Sequence, residues 1–192
     1  MFNILSGVGT TEIVLIIVAI VLVIVLGWWV STSNKFKRMQ VKIDEALSGI
    51  DVALTKRFDL LTKAIATAKG YAKHEKETFE KIVSMRNPGR NSSLAEKQEF
   101  ANQTADAIKA LNVVVEQYPT LKADTQFTAI QNHIADVEEQ LQAARRLYNA
   151  NVSSYNQSII VFPASLVAGS KFTKRDFFEA EESKREDVKI EF

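Results

Sequence analysis

The sequence predicts an all-α protein: a single transmembrane helix near the N-terminus followed by an antiparallel helical bundle, with four helices favoured and three long helices as the alternative. Three observations predict it. An uncharged apolar run occupies 13–30, apolar residues then recur at steps of three and four through most of the chain, and the stretch NPGRNSS at 87–93 joins a turn to a helix start. Only seven Gly and three Pro interrupt the 192 residues, and strand-like alternation is scarce before the last few positions. Setting the apolar run aside leaves about 150 residues, enough for one domain around one core. The expected organisation is a short non-cytoplasmic tail at 1–12, a transmembrane helix at 13–30, a cytoplasmic helical bundle at 31–162 and a charged, aromatic tail at 163–192.

The run IVLIIVAIVLVIVLGWWV carries no charge, and about 18 residues at 1.5 Å each reach roughly 27 Å, close to the thickness of bilayer hydrocarbon. A cleaved secretory signal would need a positive leading region and a small-residue cleavage site, yet no Lys or Arg occurs before Lys35 and the run closes on Trp28 and Trp29. A buried soluble helix would need apolar partners on every side, which a domain of this size can hardly supply. Lys35, Lys37, Arg38 and Lys42 follow the run, against Glu12 before it, so the positive-inside rule places the C-terminal part in the cytoplasm. Trp28, Trp29, Lys35, Lys37 and Arg38 are the expected membrane-interface residues, the indoles presenting a broad apolar body and one donor to the headgroups.

After this collar, Ile43, Leu47, Ile50, Leu54, Phe58, Leu61, Ile65 and Ala68 draw one stripe along a helix. The two successive steps of four from Ile50 to Phe58 read as a stutter that relaxes supercoiling. Gly70 interrupts the stripe, which resumes at Phe79 and Ile82; a turn or sharp kink there lets helices 35–69 and 124–162 lie side by side. Pro88 and Gly89 make a break, and Ser93 with Glu96 spells a capping box for a helix whose inner face is Phe100, Thr104, Ile108, Leu111, Val115 and Tyr118, stopped by Pro119, where a short loop is expected to follow. Asp124 caps a last long helix with the stripe Phe127, Ile130, Ile134, Val137, Leu141, Ala144, Tyr148, Val152, Tyr155, Ile159 and Phe162, ended by Pro163. The tail beyond mixes Phe172, Phe177, Phe178 and Phe192 with charge of both signs. It reads either as a solvated end or as a docking segment whose VKIEF alternates like an added strand.

The stretch YPTLKADTQFTAIQNHIADVEEQLQAARRLYNANVSSYNQSIIVFP at 118–163, together with IDVALTKRFDLL, KGYAKHE and FFEAEESKRE, resembles the LemA family of bacterial membrane proteins. The resemblance covers nearly the whole chain. It implies a bacterial inner-membrane location, a cytoplasmic bundle counted as four helices, and a boundary near Gly70, and it supplies no catalytic residue to carry over. One departure stands out: where the family pattern reads DLIPNLV, this chain has Asp59, Leu60, Leu61, Thr62, Lys63, Ala64 and Ile65, so the missing proline favours a smooth helix.

Chemistry-bearing constellations are not found. The 24 Lys and Arg nearly cancel 23 Asp and Glu, for a net charge of +1, so no positive field suggests nucleic acid. Cysteine is absent, which removes disulfides, thiolate metal sites and thiol nucleophiles. His74 and His133 have no metal-ligand spacing and read as surface or half-buried helix residues. Glu138 with Glu139, and Glu181 with Glu182, diverge by about 100 degrees on a helix and read as solvated faces. No catalytic, cofactor or metal residue is therefore assigned. The candidate partner-binding residues are Arg145, Tyr148, Asn149, Asn151, Tyr155, Phe177 and Phe178. The asparagines, with Asn156, are poor helix formers and need a reason: hydrogen bonds that fix helix register, or a surface that meets a neighbouring subunit. The expected function is a non-catalytic membrane-anchored interaction or scaffold protein, self-associating through its helices, with the bilayer and unnamed membrane or cytoplasmic proteins as partners. The alternative is a regulatory module binding a cytoplasmic sensor or membrane protease, and an enzyme is a distant third.

Overall fold

The computed structural model describes residues 9–89 and 91–179. Among these residues there are six helices and no strand: α1 (Thr10–Ala68), α2 (Lys76–Val83), α3 (Leu94–Gln117), α4 (Pro119–Lys122), α5 (Thr125–Ile160) and α6 (Ala164–Ala168). They form two compact units. The first takes the chain up to Lys42 with Ser153–Arg175, and the second takes Ile43–Val152 with the chain from Asp176 onward.

In the first unit, every large apolar residue of the N-terminal run lies exposed. The run is long and apolar enough to cross a membrane. Directly after the collar's first lysine the surface changes character. Phe36 is fully buried, edge-on to Phe172 with ring centroids 5.1 Å apart, and Gln40 donates to the Tyr155 hydroxyl at 3.0 Å. In this unit α1 and α5 run antiparallel: Gln40 meets Tyr155, and Trp28, Thr32 and Lys35, which precede Gln40 on α1, share a cavity with Gln157, Ser158 and Val161, which follow Tyr155 on α5.

In the second unit the chain travels up, down, up and down. Asp51 pairs with Lys97, and Arg57 reaches the Ala101 carbonyl, so α3 runs parallel to α1. Arg57 also pairs with Glu138 and Tyr71 with Asp124, so α5 runs antiparallel to α1. The downward second leg is α2 and the stretch after it, which brings the Asn87 amide back to the Thr55 hydroxyl. Leu61, Ile65, Phe79, Leu111, Leu121 and Phe127 close the core near the Gly70 end, each at most 1% exposed. At about 25 cal/mol per Å2 such burial is the main favourable term in folding.

The local signals explain where the elements stop. Ser93 and Glu96 form a reciprocal capping box, and the Asp124 carboxylate accepts from the Phe127 N–H at 2.8 Å. Gly70 lies in a turn: α1 closes with Gly70 N–H to Thr67 C=O and Tyr71 N–H to Ala68 C=O, the tighter three-residue pattern. The turn does not depend on a left-handed glycine, since Gly169 is the one glycine with positive φ among the described residues. α1 passes unbroken through 59–65, as the missing proline predicts.

Four expectations need correction. The stutter is absent: Leu54 and Leu61 are buried with Arg57 between them, while Phe58 is only half-buried, so the stripe keeps its alternating steps and a charged residue takes the core position. Pro119 does not open a loop but starts the single turn α4, where its missing N–H is not needed. α5 ends at Ile160, and Phe162 is 76% exposed, outside the buried stripe. The segment 163–192 begins with α6 and continues as an extended stretch carrying the buried Phe172 and Phe178. Phe192, Glu181, Glu182 and VKIEF lie outside the described residues.

Candidate functional site

Of the expected membrane-interface residues, Trp28 and Trp29 are 37% and 46% exposed at the end of the apolar run. Lys35, Lys37 and Arg38 are exposed on the following turns of α1. α1 carries these side chains on exposed positions, with the buried Phe36 between them.

The candidate partner-binding residues have a different fate. In the second unit Arg145, Tyr148 and Asn149 gather on one stretch of α5 around Phe178. The Asn149 amide donates to the Phe178 carbonyl at 2.9 Å and accepts from the Phe178 N–H at 2.8 Å, so one side chain closes both backbone groups of an extended residue. The Tyr148 hydroxyl donates to the Asp176 carbonyl at 3.0 Å. The Arg145 guanidinium lies over the Phe178 ring, 5.0 Å from its centroid, a cation–π contact. Gln98 adds a bond to the Phe177 carbonyl, leaving the Phe177 ring exposed. In the first unit Asn156 repeats the device, donating to the Arg175 carbonyl at 2.8 Å and accepting from its N–H at 2.9 Å. Tyr155, fully buried, holds Gln40 instead, an interhelical bond of the register kind. Asn151 is half-buried on the same helix.

This corrects the surface reading for Tyr148, Tyr155 and Phe178, which are buried within the chain. Asn149 and Asn156 also answer neither original reason. They bind no neighbouring helix; they receive the chain's own C-terminal segment. The docking reading of that segment holds for 173–179, and its receptor is α5.

Sequence reasoning missed a second polar group inside the bundle. Lys97 is 1% exposed and its ammonium contacts both Asp51 oxygens at 2.6 and 2.5 Å. Arg57 is 4% exposed, with Glu138 at 2.8 Å and the Ala101 carbonyl at 3.3 Å. Glu138 is accordingly not a solvated residue, unlike its exposed neighbour Glu139. Beside Arg57 and Glu138 lies an open groove of about 390 Å3 lined also by Asn112, Gln131 and Ile108. Hydrogen bonds from Tyr71 and the Phe127 N–H hold the Asp124 carboxyl below its usual range, and the same contact raises the Tyr71 phenol. The Ser93 N–H likewise lowers Glu96. His74 and His133 are exposed, the latter 3.7 Å from Asp136. Among the described residues no three His, Cys, Asp or Glu gather as a metal ion would need. These polar groups hold the fold to itself.

A model of the LemA family matches residues 46–192. Protein LemA of Metamycoplasma hominis is 31% identical over 163 residues, covering 83% of this chain and 74% of that protein. The match takes in α5 with its receptor side chains and the extended segment that they hold, and the chain belongs to the LemA family.

Proposed function

We propose that this LemA-family chain is a non-catalytic, membrane-anchored interaction protein, with its N-terminus outside and its helical domain in the cytoplasm of a bacterial cell, where it scaffolds copies of itself and other membrane proteins. The observation that carries this reading is α1: one helix holds the lipid-facing run, the exposed basic collar and the first buried stripe. Anchor and domain are parts of one element, which suits a protein that presents a surface at the bilayer. A non-catalytic role is supported by where the polar side chains go. Asn149, Asn156, Tyr148, Lys97 and Arg57 are spent on the chain's own backbone and carboxylates. Self-association cannot use the stripes, which are buried, and falls to exposed apolar residues such as Val52, Val113 and Leu147.

Two measurements test it. A reporter fused after Phe192 should be active only in the cytoplasm, and activity outside the membrane would overturn the orientation. Cross-linking of the full chain in native membranes should give multimers that weaken when Val52, Val113 and Leu147 are changed to Ser; a monomer throughout would sink the scaffold reading.

A further inference from the structure

Past Tyr155 the last helix turns apolar on its outside. Ile160, Val161, Phe162 and Leu166 are 57, 58, 76 and 60% exposed, four large apolar side chains within seven residues, around the turn that joins α5 to α6. Elsewhere past the collar the exposed large apolar residues are scattered, which is ordinary; a contiguous group marks a contact. Its height relative to the span can be worked out inside the first unit. Tyr155 is level with Gln40 through their hydrogen bond. From Gln40 down to Val30, the end of the apolar run, α1 descends about 15 Å, and from Tyr155 to Phe162 the antiparallel chain descends about 10 Å. The turn therefore stops about 5 Å above the hydrocarbon, within a headgroup layer of roughly 5 to 7 Å on each side of the bilayer. A cavity of about 450 Å3 lies alongside, lined by Trp28, Thr32 and Lys35 of α1 and by Gln157, Val161 and Pro163 at the end of α5 and its turn. Exposed Lys171 and Lys174 follow on the same unit and add to the collar's positive charge.

We infer that the α5–α6 turn is a second membrane contact, seating Ile160, Val161, Phe162 and Leu166 among the headgroups and upper acyl chains of the leaflet that Trp28 and Trp29 face. The occupant is lipid because the patch continues the lipid-facing surface of α1, at the depth where an apolar tip with flanking lysines is stable. The inference rests on the reading that α1 crosses the bilayer. It makes the first unit a two-point anchor.

The chain has no cysteine, so single-cysteine variants can carry a nitroxide without competing sites. Phe162→Cys and Leu166→Cys replace exposed side chains and leave the packing intact, with Ile20→Cys as a control inside the span and Leu147→Cys as an exposed apolar control on the second unit. The full chain would be placed in nanodiscs of mixed phosphatidylcholine and phosphatidylglycerol, and collision with oxygen compared with collision with a water-soluble nickel chelate. The oxygen-to-nickel ratio at 162 and 166 should exceed that at 147 by about threefold or more, because oxygen partitions into apolar surroundings, and should remain below that at 20. A ratio equal to that at 147, with the Ile20 label in lipid, overturns the inference and leaves the anchor standing. Shielding from both reagents with spin–spin broadening that fades on dilution with unlabelled chain also overturns it, by assigning the patch to a second copy. A water-exposed Ile20 label sinks the anchor itself.

Discussion

Replacing Asp51 with alanine removes a carboxylate from an ammonium that is 1% exposed, and the bundle must then keep the Lys97 charge out of water without the Asp51 carboxylate. Breaking a buried pair in this way costs about 3 to 5 kcal/mol. The lower end applies, about 3 kcal/mol, because Asp51 retains 22% exposure and borders a groove with Ser48, Thr55 and Asn87 through which water can enter. In a protein of this size that is a fall of roughly 6 to 12 °C in Tm. Lys97→Met behaves differently. It removes the charge, keeps the length of the side chain and leaves Asp51 able to turn toward the groove, so the cost should be about 1 kcal/mol or less. The double variant should resemble Lys97→Met alone, giving a coupling of about 3 kcal/mol, well above the 0.2 to 1 kcal/mol of an exposed pair. Urea unfolding of the full chain in detergent micelles, followed by circular dichroism, measures all three. If Lys97→Met costs as much as Asp51→Ala, burial of the charge is not what the pair answers to, and the reasoning fails.

Leu141→Ala, at a site 0% exposed, should lose about 2 to 5 kcal/mol in the same unfolding assay; a loss below 1 kcal/mol would mean that the stripe repacks. Gly70→Ala should be neutral to about 1 kcal/mol stabilising, because the added methyl meets only the Thr67 carbonyl at 3.6 Å and φ is not left-handed. Gly169→Ala, at φ +48, should instead lose about 1 to 3 kcal/mol, and equal effects at the two glycines would contradict this. The Tyr71–Asp124 bond gives a pH signature. Asp124 is lowered, so its contribution is present above the ordinary carboxylate range and lost as pH falls through the folded value; Tyr71 is raised, so its contribution is present below the ordinary phenol value and lost as pH rises through the folded one. The difference in unfolding midpoint between the wild type and Tyr71→Phe should thus be flat from about pH 5 to 9 and shrink at both ends. A difference that persists at both extremes would assign it to packing.

What the sequence made legible was whatever physics acts over three or four residues. The capping box at Ser93, the Asp124 cap, the apolar run and the stripe from Phe127 to Ile159 each rest on local hydrogen bonding or helical period, and each appears where its residues stand. The misreading at Phe58 has a definite cause. A pattern read by hydrophobicity passes over Arg57, yet a guanidinium on a three-carbon stem packs like an apolar residue along its length and finds Glu138 at its end. Following steps of three and four strictly, from Leu54 to Arg57 to Leu61, would have placed it in the core. Lys97 at 97, 101, 104 on α3 follows the same rule. Their partners lay 46 and 81 positions away, beyond any periodicity.

The asparagines show where the remaining part of the site escaped reading. An extended segment lying on a helix finds no ladder of strand partners, so its N–H and C=O groups must be met by side chains. Asparagine does this alone, because its amide offers one acceptor and a donor in the same plane as the peptide it faces; serine is shorter and aspartate lacks the donor. That is the reason for Asn149 and Asn156 in a helix they do not favour, and it explains why the misfit was visible while its cause was not. The cause depends on Phe178 and Arg175, 29 and 19 residues further on. Phe178 then supplies what the amide cannot, an apolar face under Arg145 that is 3% exposed. A segment rich in both charge and phenylalanine thus docks by its backbone and one ring, while its charged side chains and Phe177 stay in water. Its composition resembles that of a solvated tail because, among the described residues, what meets α5 is mainly backbone, which composition does not record.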